Sequence, residues 1–209
     1  MSLPVDLITL AAFVPAALAL NITPGADMMF VLAQGLRAGT KAGMAANFGI
    51  ALGCFIHVLV AGLGLAALLK AHPAAFELIR WAGVAYLIWL AVKMWRAGPP
   101  ETTRVARAPV ARVFRDALIV NLLNPKVILF ILAFLPQFVA LDRPVLPQFM
   151  ILGLVLCCGG LMVNGAVALF SGQIGRAITR APRLAVVMNR LSAMVFAMLA
   201  LRLALMERS

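Results

Sequence analysis

Charge is what this sequence has least of. Only 12% of its 209 residues are Asp, Glu, Lys or Arg, where a water-soluble domain carries roughly 25%, and the mean hydropathy is +1.04. Water is therefore not its main solvent. Acids are the scarcer sign, seven against eighteen Lys and Arg, which leaves no evident pair of catalytic carboxylates. The HExxH and GxSxG signatures are missing as well, so an intramembrane enzyme is a distant reading. Histidine and cysteine are few: His57, His72, Cys54, Cys157 and Cys158. No spacing among them resembles a metal site or a disulfide framework, so no metal and no cofactor is expected, and the cysteines read as small core residues. The apolar stretch ending at Ala17-Leu18-Ala19 has no basic residue before it but does have Asp6, so it reads as a first helix and not as a signal peptide. Alternation of period two is absent too, which excludes a transmembrane barrel.

What is present is a set of long apolar runs, at residues 5–36, 43–69, 76–95, 117–139, 147–170 and 184–205. About 20 apolar residues span the hydrocarbon layer once as a helix. The expected fold is an all-α membrane protein with six transmembrane helices in a single domain, 1–209. Connectors fall at 37–41, 70–73, 96–116, 141–147 and 173–183, the third opening with Gly98-Pro99-Pro100 like a linker. Twelve Lys and Arg belong to connectors one, three and five and their flanks, against five on the opposite side with both termini. The positive-inside rule then puts the odd connectors, including the basic loop 96–116, in the cytoplasm and both termini outside. The excess of basic residues thus reads as topology. Because aromatic residues are not interleaved with the basic ones, no nucleic-acid partner is expected.

Two places break the apolar rule, and in the same way. Asn21-Ile22-Thr23-Pro24-Gly25-Ala26-Asp27 interrupts the first run, and Asn121-Leu122-Leu123-Asn124-Pro125-Lys126 the fourth. A charged residue at mid-helix costs about 2.5–3.5 kcal/mol even on a lenient insertion scale, so Asp27 and Lys126 each need a partner, water or neutralisation. Pro24 cannot donate to the carbonyl of Leu20, nor Pro125 to that of Asn121, and each ring clashes with the preceding turn. Acceptors freed at that depth persist only against protein or a wet cavity, which Asn21, Thr23, Asn121 and Asn124 are suited to line. Helices resuming after the breaks point partly positive N-termini into it. Counting from the ends of the runs, Pro24 lies about 18 Å and Pro125 about 14 Å from the cytoplasmic side, both near the middle of a layer about 30 Å thick. A broken helix leads each half of the chain, 1–95 and 117–209. Three spans per half invert the second against the first, so the pattern predicts a 3+3 inverted repeat with the site between its broken helices.

Small residues line one face of the second run, where Ala45, Gly49, Gly53, His57 and Ala61 recur every four positions. Such a face presses close against another helix. It permits a homodimer without requiring one. His57 on this face has two readings, a buried histidine bonded to a neighbouring carbonyl or a participant in proton handling.

At the two interrupted motifs the chain resembles the LysE/RhtB family of bacterial amino-acid exporters. Thr23-Pro24-Gly25-Ala26-Asp27 is similar to the family's Pro-Gly-Pro followed by an acid. Asn121 to Lys126, followed by Phe130 and Leu135-Pro136-Gln137-Phe138, is similar to its fourth-helix motif. The likeness extends through Gly49-Ile50-Ala51-Leu52-Gly53 and Gly83-Val84-Ala85-Tyr86-Leu87. Ala26 departs from the second proline, which predicts a softer break at Pro24, and Ala117 stands where a glycine is common. The resemblance implies a multi-pass protein of the bacterial inner membrane that exports amino acids or their derivatives, driven by the proton gradient, and is not an enzyme.

On that reading Asn21, Thr23, Pro24, Gly25, Asp27, Asn121, Asn124, Pro125 and Lys126 form the substrate site, with Asp27 and His57 the candidates for proton coupling. The substrate's ammonium meets Asp27 and freed carbonyls, and its carboxylate meets Lys126 and a helix N-terminus. Against this stand a purely structural Asp27–Lys126 ion pair, a Lys126 that snorkels to headgroups, efflux of a metal or other cation, and a passive channel.

Overall fold

The structure, a computed structural model, describes residues 4–71, 75–97, 108–140, 142–174 and 182–205. Outside them lie His72, the Gly98-Pro99-Pro100 linker, Arg104, Arg107 and most of the fifth connector. Every regular element among the described residues is helical: α1 (Leu7–Ile22), α2 (Ala26–Ala38), α3 (Thr40–Ala71), α4 (Ala75–Arg96), α5 (Val110–Leu122), α6 (Pro125–Leu129), α7 (Val145–Leu169) and α8 (Pro182–Leu205). A π-helical segment, Phe130–Phe134, and a 3-10 turn, Leu135–Phe138, continue α6.

Three helices, α3, α4 and α7, are long and apolar enough to cross a membrane, and two bent pairs bring the number to five. The pairs are those foreseen from the prolines. α1 and α2 meet at 50°, and α5 and the segment after Pro125 at 48°. The break at Pro24 is thus no softer than the other, despite Ala26, because Gly25 gives α2 an extended N-cap and the missing N–H of Pro24 already ends α1.

Two boundaries differ from the hydropathy reading. The first connector shrinks to Gly39, whose φ of 82° is a conformation that side chains resist, so the chain reverses from α2 into α3 within one residue. α5 begins at Val110, inside the stretch read as the loop 96–116. Its early turns are amphipathic, with Val113 and Ala117 buried and Arg115 exposed, and hydropathy averaging hides such a start. With these boundaries Pro24 stands 14 positions before Ala38 and Pro125 15 positions after Val110, about 21 and 22 Å along a helix. The two breaks are closer to equal depth than run ends suggest.

α3 holds the centre and packs on both α5 and α7, while α4 packs mainly on α8. The small-residue face of α3 is turned to α5. A Cβ on Gly49 would stand 2.2 Å from the Phe114 carbonyl oxygen, and one on Gly53 2.6 Å from Asn121 Oδ1. That face is filled within the chain and is not free for a second copy. On α4, Gly83 admits the Ala133 carbonyl oxygen of the π-helical segment in the same way, at 2.6 Å. The π segment arises where Pro136 cannot donate to the carbonyl of Leu132 and regular winding stops. Phe130, Phe134 and Phe138 follow one another along it in tilted and edge-on contacts at 4.7 and 5.0 Å between ring centroids, and Phe13 of α1 closes edge-on against Phe138 at 5.2 Å.

Buried apolar residues form two separate clusters. The smaller, around Val31, Ala46, Ile50, Val113, Ala117 and Ala168, joins α2, the start of α3, α5 and the end of α7. The larger joins α1, the rest of α3, α4, the segment after Pro125, the start of α7, and α8. The outside of the bundle is apolar as well. Leu63, Trp81, Leu123, Met162, Phe170 and Leu201 are each more than half exposed, a surface suited to hydrocarbon and costly in water.

Candidate functional site

The two breaks meet between the apolar clusters. Pro24 leaves the carbonyl of Leu20 without its helical donor, and the extended turn leaves that of Thr23 outside the ladder of α2. Lys126 crosses from the fourth run and donates from Nζ to both, at 2.7 and 2.8 Å. The amine thus replaces the N–H groups that the broken helix lost. Its stem does not snorkel outward. Thr23 Oγ1 turns back onto the Ala19 carbonyl, so this side chain finishes α1 and does not face the cavity with its hydroxyl free.

Across the layer, Asn121 Nδ2 donates to Asp27 Oδ2 at 2.9 Å. Asp27 sits in the first turn of α2, where the unpaired N–H groups favour negative charge. Lys126 occupies the first turn of α6, with Pro125 opening that helix and Asn124 capping it through a 3.0 Å bond from the Lys126 backbone N–H to Asn124 Oδ1. None of the four ion pairs among the described residues joins Asp27 to Lys126. A pair that only fixes helix register is therefore not the arrangement present. Each charge is instead held by neutral hydrogen-bonding groups from the other broken run.

Two adjoining cavities of about 30 Å³ each occupy the layer. Asn21, Thr23, Gly25, Asp27, Asn124 and Lys126 line the first. Asn21, Asp27 and Asn121 line the second, with Cys54 and Cys157. Each cavity admits a water molecule or so, and neither admits an amino acid. Seven of the nine sequence-derived site residues therefore gather in one place. Pro24 and Pro125 shape the turns without lining the cavities.

His57 stands apart. Its Nε2 lies 3.3 Å from the Asn121 carbonyl oxygen, which also accepts from the Asn124 backbone N–H at 2.9 Å, and the ring lines a separate apolar groove with Val60, Leu68 and Phe149. The carbonyl contact is that of the first reading, but the ring is half-buried and not buried.

Asn164, Gly159 and Gly160 had no counterpart in the sequence reading, and Tyr86 entered it only within a resemblance, without a role. Asn164 of α7 is 6% exposed and lines both cavities, and its Oδ1 has no partner. Tyr86, the lone tyrosine, donates from its hydroxyl to the Lys126 carbonyl at 3.1 Å and ties α4 to the second break. Gly159 and Gly160 of α7 make room for Asn21, which donates to the Leu156 carbonyl at 3.1 Å. An uncharged amide in an apolar run was the available signal for Asn164.

The family model described as "LysE type translocator" matches residues 18–207. An "Uncharacterized membrane protein" of Vibrio cholerae serotype O1 is 34% identical over 187 residues, 88% of this chain and 91% of that one. The "Homoserine/homoserine lactone efflux protein" of Salmonella typhimurium is 33% identical over 165 residues, 78% of this chain and 80% of that one. The "Leucine efflux protein" of Salmonella choleraesuis is 33% identical over 135 residues, 63% and 64% of the two. No solved structure matches the chain.

Proposed function

This chain belongs to the LysE type translocator family, and from that membership and the polar layer between its broken helices we propose that it is a secondary exporter of amino acids, or of close derivatives, working by alternating access. The efflux activity carried in the names of its relatives supports the substrate class. The observation that carries the mechanism is the crossing of partners, with Lys126 on the carbonyls freed at Pro24 and Asn121 on Asp27. A lysine ammonium has three N–H donors, and two are engaged. The third is left for a substrate carboxylate, while Asp27 Oδ1, which is buried without a partner, is left for a substrate ammonium.

Because each cavity is too small for an amino acid, binding requires the helices about the layer to part. The structure therefore corresponds to a closed stage of the cycle. We take the membrane to be the bacterial inner membrane, with six crossings that count each bent pair and α8 once, and with odd connectors cytoplasmic and termini outside. The equal bends at 50° and 48° and the similar depths of the breaks support a 3+3 inverted repeat. A homodimer, if formed, uses a face other than Gly49–Gly53.

Export is driven by the proton gradient. A proton arriving from outside competes with the substrate ammonium for the Asp27 carboxylate and releases it. Cation efflux is the weaker reading, since Lys126 already holds the freed carbonyl oxygens that would solvate a cation. The test is Asp27→Asn in proteoliposomes. Proton-driven uptake into inverted vesicles should vanish; if driven transport and counterflow both match the native protein, Asp27 has no part in coupling. A counterflow screen with radiolabelled amino acids tests the substrate class, and flux that does not saturate would point to a channel.

A further inference from the structure

Exactly three polar residues line both cavities of the layer, and they come from three different helices: Asn21 of α1, Asp27 of α2 and Asn164 of α7. Two of them present a buried oxygen that has no donor. Asn21 lines both cavities and donates one N–H to the Leu156 carbonyl. Asp27 has Oδ2 engaged by Asn121 and Oδ1 unpartnered. Asn164 Oδ1 is unpartnered too, on a side chain more than nine-tenths buried. A buried acceptor left without a donor is costly, on the order of the full desolvation of that group. Asp27 Oδ1 and Asn164 Oδ1, with Asn121 Oδ1 beside the second cavity, are three such acceptors around one small space and call for a ligand that brings donors.

A primary ammonium brings three N–H groups and one positive charge, and a lysine side chain shows the layer already solvating that group through neutral oxygens. We infer that Asn21, Asp27 and Asn164 form a cradle for the substrate's primary ammonium, so that the exporter takes unblocked α-amino compounds and discriminates against N-substituted ones. Asn164 is the specificity-determining member that neither charge nor proline marks in the sequence. Asn121 is a positioning residue, since it holds Oδ2 of Asp27 and packs against Gly53. The inference rests on the export reading and narrows its substrates.

The test uses the full-length protein in proteoliposomes. Counterflow of radiolabelled L-homoserine, or of L-leucine if that is the one carried, is competed with the unlabelled amino acid, its N-methyl form and its N-acetyl form. A charge-assisted hydrogen bond lost from a buried site weakens binding about 10- to 100-fold. N-methylation should therefore weaken competition by that factor, and N-acetylation, which removes the charge, should abolish it. Asn164→Leu should bind the primary amine about 10- to 100-fold more weakly and should no longer prefer it over the N-methyl form, whereas steric exclusion of the methyl group would persist in the variant. Asn164→Asp keeps an acceptor and should keep the preference, while Asn164→Ala, which removes the acceptor with a smaller side chain, should lose it and decides the matter if the leucine variant does not fold. Equal competition by the N-methyl form in the native protein, or an undiminished preference in Asn164→Leu, overturns the cradle while export stands. A native protein that carries none of the amino acids of the counterflow screen overturns the export reading, and the cradle with it.

Discussion

The glycines of α3 allow a test of the packing that brings the two breaks together. Gly49, Gly53 and Gly64 lie on one helix but face different things. A Cβ at Gly49 meets the Phe114 backbone oxygen at 2.2 Å, one at Gly53 meets Asn121 Oδ1 at 2.6 Å, and one at Gly64 meets nothing within 4 Å. Alanine in place of glycine stabilises a helix interior by about 0.5–1 kcal/mol, and that gain is common to all three. Opposing it is overpacking, about 1–3 kcal/mol and more where backbone must move. Gly64→Ala should therefore be neutral or stabilising. In Gly49→Ala, α5 must retreat by about 1 Å to restore ordinary contact, so the net effect should be destabilising by about 1–2 kcal/mol. Gly53→Ala meets Asn121 Oδ1, which can rotate away at the cost of its bond to Asp27, and Asn121 Cβ at 2.9 Å, which only a small shift of α5 relieves. Its stability should fall less than that of Gly49→Ala, and its transport more. Unfolding in mixed detergent micelles gives the stability order, and counterflow in proteoliposomes gives the transport order. If Gly49→Ala proves as stable as Gly64→Ala, α3 and α5 do not approach as described and the layer between the breaks loses its frame.

Lys126→Met removes a buried ammonium whose desolvation costs several kcal/mol and also two charge-assisted bonds worth about 1.5–3 kcal/mol each. The change also leaves the Leu20 and Thr23 carbonyls without a donor, about 1–3 kcal/mol each, so stability should fall by about 2–4 kcal/mol while counterflow drops to background, and counterflow near the native rate would remove Lys126 from the site. Cys54 Sγ and Cys157 Sγ lie 3.0 Å apart beside the second cavity, and Cys158 is exposed. Treatment with copper–phenanthroline, which takes two electrons as the thiols release two protons, should join α3 to α7, stop counterflow and leave Cys158 titratable; Cys157→Ser should resist, and the same inhibition in that variant would show that the pair is not responsible.

Much of the fold was legible before any coordinates. Long apolar runs announce helices in a bilayer because no other open structure satisfies its backbone there. The bends at Pro24 and Pro125 follow from two missing N–H groups. Boundaries were less legible where the chain leaves the hydrocarbon. Val110 to Asp116 is helical although polar, and Gly39 alone does the work of a five-residue connector, because helix ends are set by caps and packing and not by mean hydropathy. Seven of the nine candidate residues line the cavities, since a polar group at mid-membrane is costly and therefore conspicuous. Asn164 and Tyr86 were not conspicuous. A single uncharged amide or phenol in an apolar run costs little if it finds one partner, and the sequence does not say which partner.

The amino-acid sequence determined that the chain lives in lipid, that it is helical, and that two helices break beside a carboxyl and an amine. These depend on local chemistry: a side chain's transfer energy, a ring that replaces a hydrogen. Only the tertiary structure decided that Lys126 serves the carbonyls of Leu20 and Thr23 and not the carboxylate of Asp27, that Asn121 holds that carboxylate, and that Asn164 completes the layer from a third helix. Those pairings join residues far apart along the chain, and their register is set by how closely α3 admits α5 and how α7 admits Asn21. Contacts of that range come from packing summed over whole helix faces, which no single segment encodes.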